Sequence, residues 1–139
     1  MTCHLLGRSH VLRALFIRAI LLLVVVALVC GLGAASDPPV AGRWTGRSPD
    51  PVGRTEEVEL RFSAGDGGIT GILHTADRDI PLAKVRLQGR SLTFDATREL
   101  RGRNILYHYD GTLSGDTIDF TVQNDDGSSF FRFTAHRAQ

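Results

Sequence analysis

The sequence predicts an all-β domain in which eight antiparallel strands form a meander that closes into a small barrel, preceded by an N-terminal signal or hydrophobic helix. Three observations lead to this prediction. After residue 37, apolar and polar side chains alternate with period two, as in strands with one buried face. Turn signals such as Gly65-Asp-Gly-Gly68 and Gly115-Asp116 separate these runs. Closure into a barrel would remove the exposed edges of such a sheet.

The first 35 residues have the layout of a secretory signal peptide. Residues 1–18 contain three arginines and no acidic side chain, and residues 19–35 contain no charged side chain and end in small residues. We predict cleavage after Ala35, with Gly33 and Ala35 at positions −3 and −1. The apolar run has 17 residues, whereas a spanning helix needs about 20. An uncleaved membrane anchor with the domain outside is therefore the alternative.

Removal of this segment changes what the composition implies. The chain of 139 residues has a formal net charge of +1, but residues 37–139 contain 13 basic and 15 acidic side chains and carry −2. This balance provides no basic field for nucleic acid. Both cysteines lie in residues 1–35, so an exported domain would fold without disulfides. We predict a linker over residues 36–40 and one domain over residues 41–138, in the periplasm or outside the cell.

The turns fix the register of the predicted strands, because a two-residue hairpin loop determines which residues face each other. Four loops, at residues 66–67, 89–90, 115–116 and 126–127, place apolar residues opposite one another on one common face. A shift by one residue would expose all of them to water. The predicted strands cover residues 41–47, 54–63, 68–75, 79–87, 91–98, 103–114, 117–124 and 128–137.

The same registers predict specific neighbours on both faces of the sheet. On the outer face, Lys84 is expected opposite Asp95, and Glu59 opposite His74. On the inner face, the expected pairs are Leu60 with Leu73, Phe62 with Gly71, Val85 with Phe94, Leu87 with Leu92, Tyr109 with Val122, Gly111 with Phe120, Leu113 with Ile118, Ile118 with Ala135, Phe120 with Phe133 and Val122 with Phe131.

Three segments combine glycines and apolar residues in short motifs: Gly42-Arg-Trp44-Thr-Gly46, Tyr109-Asp-Gly111-Thr-Leu-Ser-Gly115 and Phe131-Arg-Phe-Thr-Ala-His-Arg137. They resemble a group of small secreted bacterial β-domains of unassigned function. The early Gly-x-Trp and the meander are also similar to avidin and lipocalin (calycin-like) barrels. The resemblance covers about residues 40–138 and implies a barrel of a kind that commonly binds a small ligand inside. Biotin binding is not implied, because the polar residues of the avidin site have no counterpart here.

The candidate ligand-binding residues are Trp44, Tyr107 and Tyr109, which share the inward parity. Aromatic side chains that carry a polar atom can line a pocket. In the alternative interpretation, Trp44 plugs one end of the barrel and the tyrosine hydroxyls lie near a rim. The remaining inward residues are nearly all apolar, which favours the plug.

The candidate surface-contact residues are Phe130 and a basic cluster in a predicted loop, formed by Arg98, Arg101 and Arg103. A solvated loop without a partner is the simpler interpretation of this cluster. The three histidines of the domain are predicted to point outward on different strands, without the spacing of a metal site. We predict no catalytic residue, no metal site and no cofactor.

Function is predicted only at the level of class. The leading hypothesis is an exported, non-enzymatic barrel module that binds a small apolar or aromatic ligand at the barrel mouth. The alternative is an envelope-accessory domain for protein interaction, with a solid core and no internal ligand. The expected partner is a small ligand or an envelope protein, with membrane contact only through residues 19–35 if these are not cleaved. An enzyme is the least favoured class, because the inward side chains offer no convergent titratable groups.

Overall fold

The computed structural model describes residues 38–139, which form nine antiparallel strands in one sheet. The predicted signal peptide or anchor and the start of the linker lie outside the described residues. No helix in residues 38–139 is long and apolar enough to cross a membrane. The strands are β1 (Gly42–Pro49), β2 (Thr55–Gly65), β3 (Gly68–His74), β4 (Asp79–Pro81), β5 (Ala83–Gln88), β6 (Ser91–Leu100), β7 (Arg103–Ser114), β8 (Thr117–Asn124) and β9 (Phe130–Arg137).

The sheet is a nearly closed barrel in which successive strands are neighbours. Strand β1 pairs with β2 on one side and with the last strand, β9, on the other, which joins the first and the last strand of the sheet. The spatial order is therefore β4-β3-β2-β1-β9-β8-β7-β6-β5. The Leu82 N–H donates a hydrogen bond to the Gly71 carbonyl at 2.9 Å, which continues the pairing of β3 with β4 up to the start of β5. The predicted all-β antiparallel meander is confirmed.

The registers predicted from three of the four turns are confirmed in full. Leu60 faces Leu73 and Phe62 faces Gly71 across β2 and β3. Across β7 and β8, Tyr109 faces Val122 and Gly111 faces Phe120, while β9 places Phe133 opposite Phe120. Each pair puts apolar side chains on the buried side, so the period-two pattern and the turn positions lead to the same register.

The predicted fourth strand differs from the prediction. It is divided at Leu82 into β4 and β5, which gives nine strands where eight were predicted. An irregularity between Ala83 and Arg86 shifts the register, so that Ala83, not Lys84, lies opposite Asp95. Val85 lies inside this irregularity, so it is not paired one to one with Phe94, although it still packs against the core. Lys84 has a φ of 52°, in the left-handed region that residues other than glycine rarely adopt, and a β-bulge can place a residue in such an unusual conformation.

Aromatic rings fill much of the interior. The Phe94 ring stacks on Tyr109 with a centroid distance of 4.6 Å, and Phe120 stacks on Phe133 at 5.1 Å. Phe94 and Phe120 meet edge to face at 5.7 Å, which connects the two stacks. Gly111 leaves room for this arrangement, because a Cβ at that position would lie 2.6 Å from the Phe120 ring. Aromatic pairs of this geometry contribute about 0.5–1.5 kcal/mol beyond the burial of their surface.

Candidate functional site

Trp44 closes one end of the barrel. Its side chain is fully buried, and its indole N–H donates a hydrogen bond to the Val40 carbonyl at 2.8 Å. The Arg137 guanidinium lies over the indole ring, with the Cζ atom 4.2 Å from the ring centroid. Arg137 also donates through Nη1 to the Ala41 carbonyl at 2.9 Å. The cation and the chain before β1 therefore cover the indole, as the plug interpretation requires.

Trp44 and Tyr109 have different neighbours. Trp44 pairs with Arg137, whereas the row that contains Tyr109 runs through Val122 to Phe131, six residues earlier in β9. The indole of Trp44 is bound to Val40 and covered by Arg137, while the Tyr109 side chain lies near Arg98.

Both tyrosine side chains are buried in the barrel. Burial raises the pKa of Tyr109 to about 12, although the nearby charge of Arg98 opposes the increase. Burial also raises the pKa of Tyr107, whose ring lies 6.2 Å from that of Phe131. Both phenols therefore remain protonated at neutral pH and retain the ability to donate a hydrogen bond.

Arg98 forms a buried ion pair with Glu56 in the part of the barrel near Tyr109. The two side chains are only 8% and 15% exposed. Arg98 lies within β6 and continues its inward series after Phe94 and Ala96, so its predicted position in an exposed loop is wrong. Glu56 occupies the same parity in β2 as the buried Val58. The period-two parity of both strands was the signal in the sequence that could have revealed this pair.

The mouth next to this ion pair is a groove of about 380 Å³, formed by loop 50–54, loop 75–78 and the end of β6. Its charged groups are largely paired with one another. Asp50 accepts hydrogen bonds from the Arg54 backbone N–H at 2.8 Å and from Arg54 Nε at 2.9 Å. Arg78 and Glu99 form a longer ion pair at 3.5 Å. The groove is therefore lined by paired ions as well as by apolar groups.

The other predicted surface residues lie at two places on the outside. Arg101 and Arg103 are exposed at the turn between β6 and β7. Phe130 is 59% exposed and lies opposite Gln123 at the start of β9. The Arg132 guanidinium is 5.4 Å from the centre of the Phe130 ring. Phe130 is thus an aromatic surface held beside a cation and an amide.

A second groove, of about 460 Å³, lies on the outer face of β5–β8. We call it the outer groove, and its lining includes Lys84, Arg86, Asp95, His108, Asp110 and Gln123. The Asp95 carboxylate contacts His108 Nδ1 at 2.6 Å and Lys84 Nζ at 3.3 Å. Burial by itself raises the pKa of Asp95. The hydrogen bonds from His108 and Lys84 together lower the pKa by more than burial raises it, so the net shift is downward. Asp95 is therefore an ionised group in a fixed position.

Comparison with known proteins does not identify a family for this chain. No family model matches the chain, and neither the curated proteins nor the solved structures gave a match. The resemblance to calycin-like barrels therefore stays a proposal that rests on the motifs. Within residues 38–139, no group of three or more His, Cys, Asp or Glu side chains is placed to hold a metal ion.

Glu59, on the outer face of β2, is expected to make the stability depend on acidic pH. Hydrogen bonds from Arg43 and Arg61 lower its pKa from 4.5 to about 2. Because the folded-state pKa is the lower one, this stabilisation is complete above about pH 4.5 and is lost as the pH falls towards 2. We expect Glu59→Gln to lose less stability than the wild type over this range, measured by urea unfolding at each pH. Equal losses in the two proteins would contradict the assignment.

Proposed function

We propose that the domain is an exported, non-enzymatic β-barrel module that acts by binding, with its partner on the outer surface and a solid core inside. This is the class of an envelope-accessory interaction domain. The observation that carries the proposal is the continuous packing of the interior, from the stacked pairs Phe94–Tyr109 and Phe120–Phe133 to the covered Trp44. Export is supported by the signal-like pattern of residues 1–35.

A ligand in the interior would have to displace these rings. Protein interiors are packed as densely as organic crystals, so added volume forces side chains out of their preferred rotamers. Trp44 could move only if its hydrogen bond to Val40 and its contact with Arg137 were broken. Binding on the outside requires no such rearrangement, and this difference favours an exterior partner.

A small apolar or aromatic ligand at the barrel mouth is the second candidate function. The observation that favours it is the groove of about 380 Å³ next to Arg98 and Glu56, because small-molecule sites have volumes of about 300–1,000 Å³. The Tyr109 phenol lies near Arg98 and could contribute a donor if the mouth opened. The calycin-like resemblance belongs with this candidate.

The two candidates predict different responses to an apolar probe. Trp44 is the only tryptophan, so its fluorescence reports on the interior. We expect anilinonaphthalene sulfonate to show no saturable binding and to leave the Trp44 emission unchanged. In the control variant Phe131→Ala, the ring next to Tyr107 is removed, and we expect measurable probe binding at the enlarged mouth. Stoichiometric binding to the wild type, with quenching of Trp44, would overturn the solid-core proposal in favour of the second candidate.

A further inference from the structure

The outer groove presents two parallel rows of polar side chains from β6, β7 and β8. The first row consists of Asp95, His108 and Gln123, and Phe130 on β9 continues it beyond the lining of the groove. The second row, two residues along, consists of Thr93, Asp110 and Thr121, and Arg132 on β9 continues it in the same way. Side chains directly opposite each other in an antiparallel pair lie about 4.5–5.5 Å apart. The rows therefore offer closely spaced donors and acceptors on a fully paired section of the sheet.

The first row is held in a defined geometry before any ligand binds. Asp95 is on the outer face but is only 8% exposed, because His108 and Lys84 lie against it. Lys84 reaches Asp95 from the irregular segment of β5, where its own φ is 52°. β-bulges re-aim side chains, and unusual backbone conformations concentrate at binding sites. The Asp95 carboxylate therefore needs little reorganisation to bind a ligand.

The charges in the outer groove are balanced. The cations Lys84 and Arg86 are matched by the carboxylates Asp95 and Asp110. Neither a polyanion nor a polycation is attracted by such a surface, because steering needs an excess of one sign. Side chains that donate lie beside side chains that accept, and a hydroxyl group can satisfy both kinds because it donates and accepts at once. These features fit an uncharged ligand that carries several hydroxyl groups.

Phe130 adds an apolar surface at the end of the first row. Its ring is 59% exposed, and its neighbours Gln123 and Arg132 are polar. An exposed aromatic ring beside polar groups can pack against the C–H face of a ligand whose edge is hydrogen-bonded. A ligand with hydroxyl groups round its edge and C–H groups on its face is a saccharide ring.

We propose that the outer groove binds a neutral saccharide, with Phe130 stacking on a sugar ring and the two polar rows hydrogen-bonding its hydroxyl groups. The volume of about 460 Å³ is within the range of small-ligand sites, about 300–1,000 Å³. This inference rests on the proposed function, because it names the partner class of an exterior surface. It assigns recognition to Asp110, Gln123 and Phe130, and positioning of Asp95 to Lys84 and His108.

The test is a titration of the isotope-labelled protein with three neutral oligosaccharides, cellotriose, maltotriose and N-acetylated chitotriose, in which the amide chemical shifts are measured. We expect at least one of them to cause saturable shifts at residues 93–95, 108–110 and 121–123, with a Kd of about 1 mM or lower. Phe130→Ala is expected to weaken binding at least about tenfold. Asp110→Asn should also weaken it, and because Asp110 is exposed the variant should keep the wild-type fold.

Ile72→Ala is the matched control, because Ile72 is an apolar residue that is 43% exposed on the outer face of β3. It should bind the oligosaccharide as tightly as the wild type. The inference is overturned if no oligosaccharide causes saturable shifts, if shifts occur at the mouth instead, or if Phe130→Ala and Ile72→Ala bind equally well. Salt-dependent binding of dextran sulfate alone would show a polyanion site and overturn it too. Its failure is separate from that of the proposed function, which fails only if the apolar probe enters the wild-type interior.

Discussion

Replacement of Phe120 by aspartate is expected to unfold the domain, whereas the same replacement at Thr121 should leave its stability nearly unchanged. Phe120 is 1% exposed and its ring contacts Phe94, Tyr109 and Phe133. An aspartate there would be a buried charge among aromatic rings, which costs several kcal/mol. Domains are stabilised by only about 5–15 kcal/mol in total, so most of the margin would be lost.

Thr121 is the matched control because it is the next residue in β8 and lies on the outer face. An aspartate at this position would have Arg132 on one side and Asp110 on the other. Attraction and repulsion of this kind are each worth about 0.2–1 kcal/mol, so they largely cancel. Circular dichroism and urea unfolding of the two variants provide the measurement. Similar losses in both would mean that the inner and outer faces have been assigned the wrong way round.

Replacement of Glu56 by leucine is expected to destabilise the domain by about 3 kcal/mol, because it leaves the Arg98 guanidinium buried without its counter-charge. Arg98 is 8% exposed in its side chain and Glu56 is 15% exposed. The partial exposure of Glu56 lets water relieve some of the cost, which is why the expected value lies at the lower end of the range for buried pairs.

The double variant Glu56→Leu with Arg98→Met should recover most of this loss, since a buried ion pair can often be exchanged for apolar side chains of similar volume. Urea unfolding of the four proteins forms a double-mutant cycle that isolates the coupling between the two residues. Glu99→Leu is the control, because Glu99 and its partner Arg78 are both 52% exposed and such pairs contribute about 0–1 kcal/mol. Additive effects of the Glu56 and Arg98 replacements would show that the pair is not a buried unit.

The fold was largely predictable because each hairpin provided an independent check on the register. The turn at 115–116, for example, puts Gly111 opposite Phe120, and the turn at 126–127 puts Phe133 opposite the same residue. Both placements agree with the period-two pattern. The division of the fourth strand was not predictable in this way, because the turn at 89–90 determines the register only as far as the irregularity after Ala83.

The candidate site was predicted less well, since side-chain position depends on contacts between strands far apart in sequence. The cluster of Arg98 with Arg101 and Arg103 indicates a solvated loop, whereas the partner that buries Arg98, Glu56, is 42 residues away in the sequence. Trp44 and Tyr109 share the inward parity, but parity does not show how far apart along the barrel they lie. The outer groove depends on rows across four strands, and only its pairs could be inferred from the turns.

The central claim is that the interior is a filled core and that binding takes place outside it. Native mass spectrometry of the purified protein tests this claim most directly, when its native mass is compared with that of the same sample after denaturation. We predict identical masses, because the stacked rings and the covered Trp44 leave no place to retain a small molecule. A native mass that exceeds the denatured mass by a discrete co-purified molecule, lost together with the fold and retained equally by the Phe130→Ala variant of the outer site, would contradict the claim.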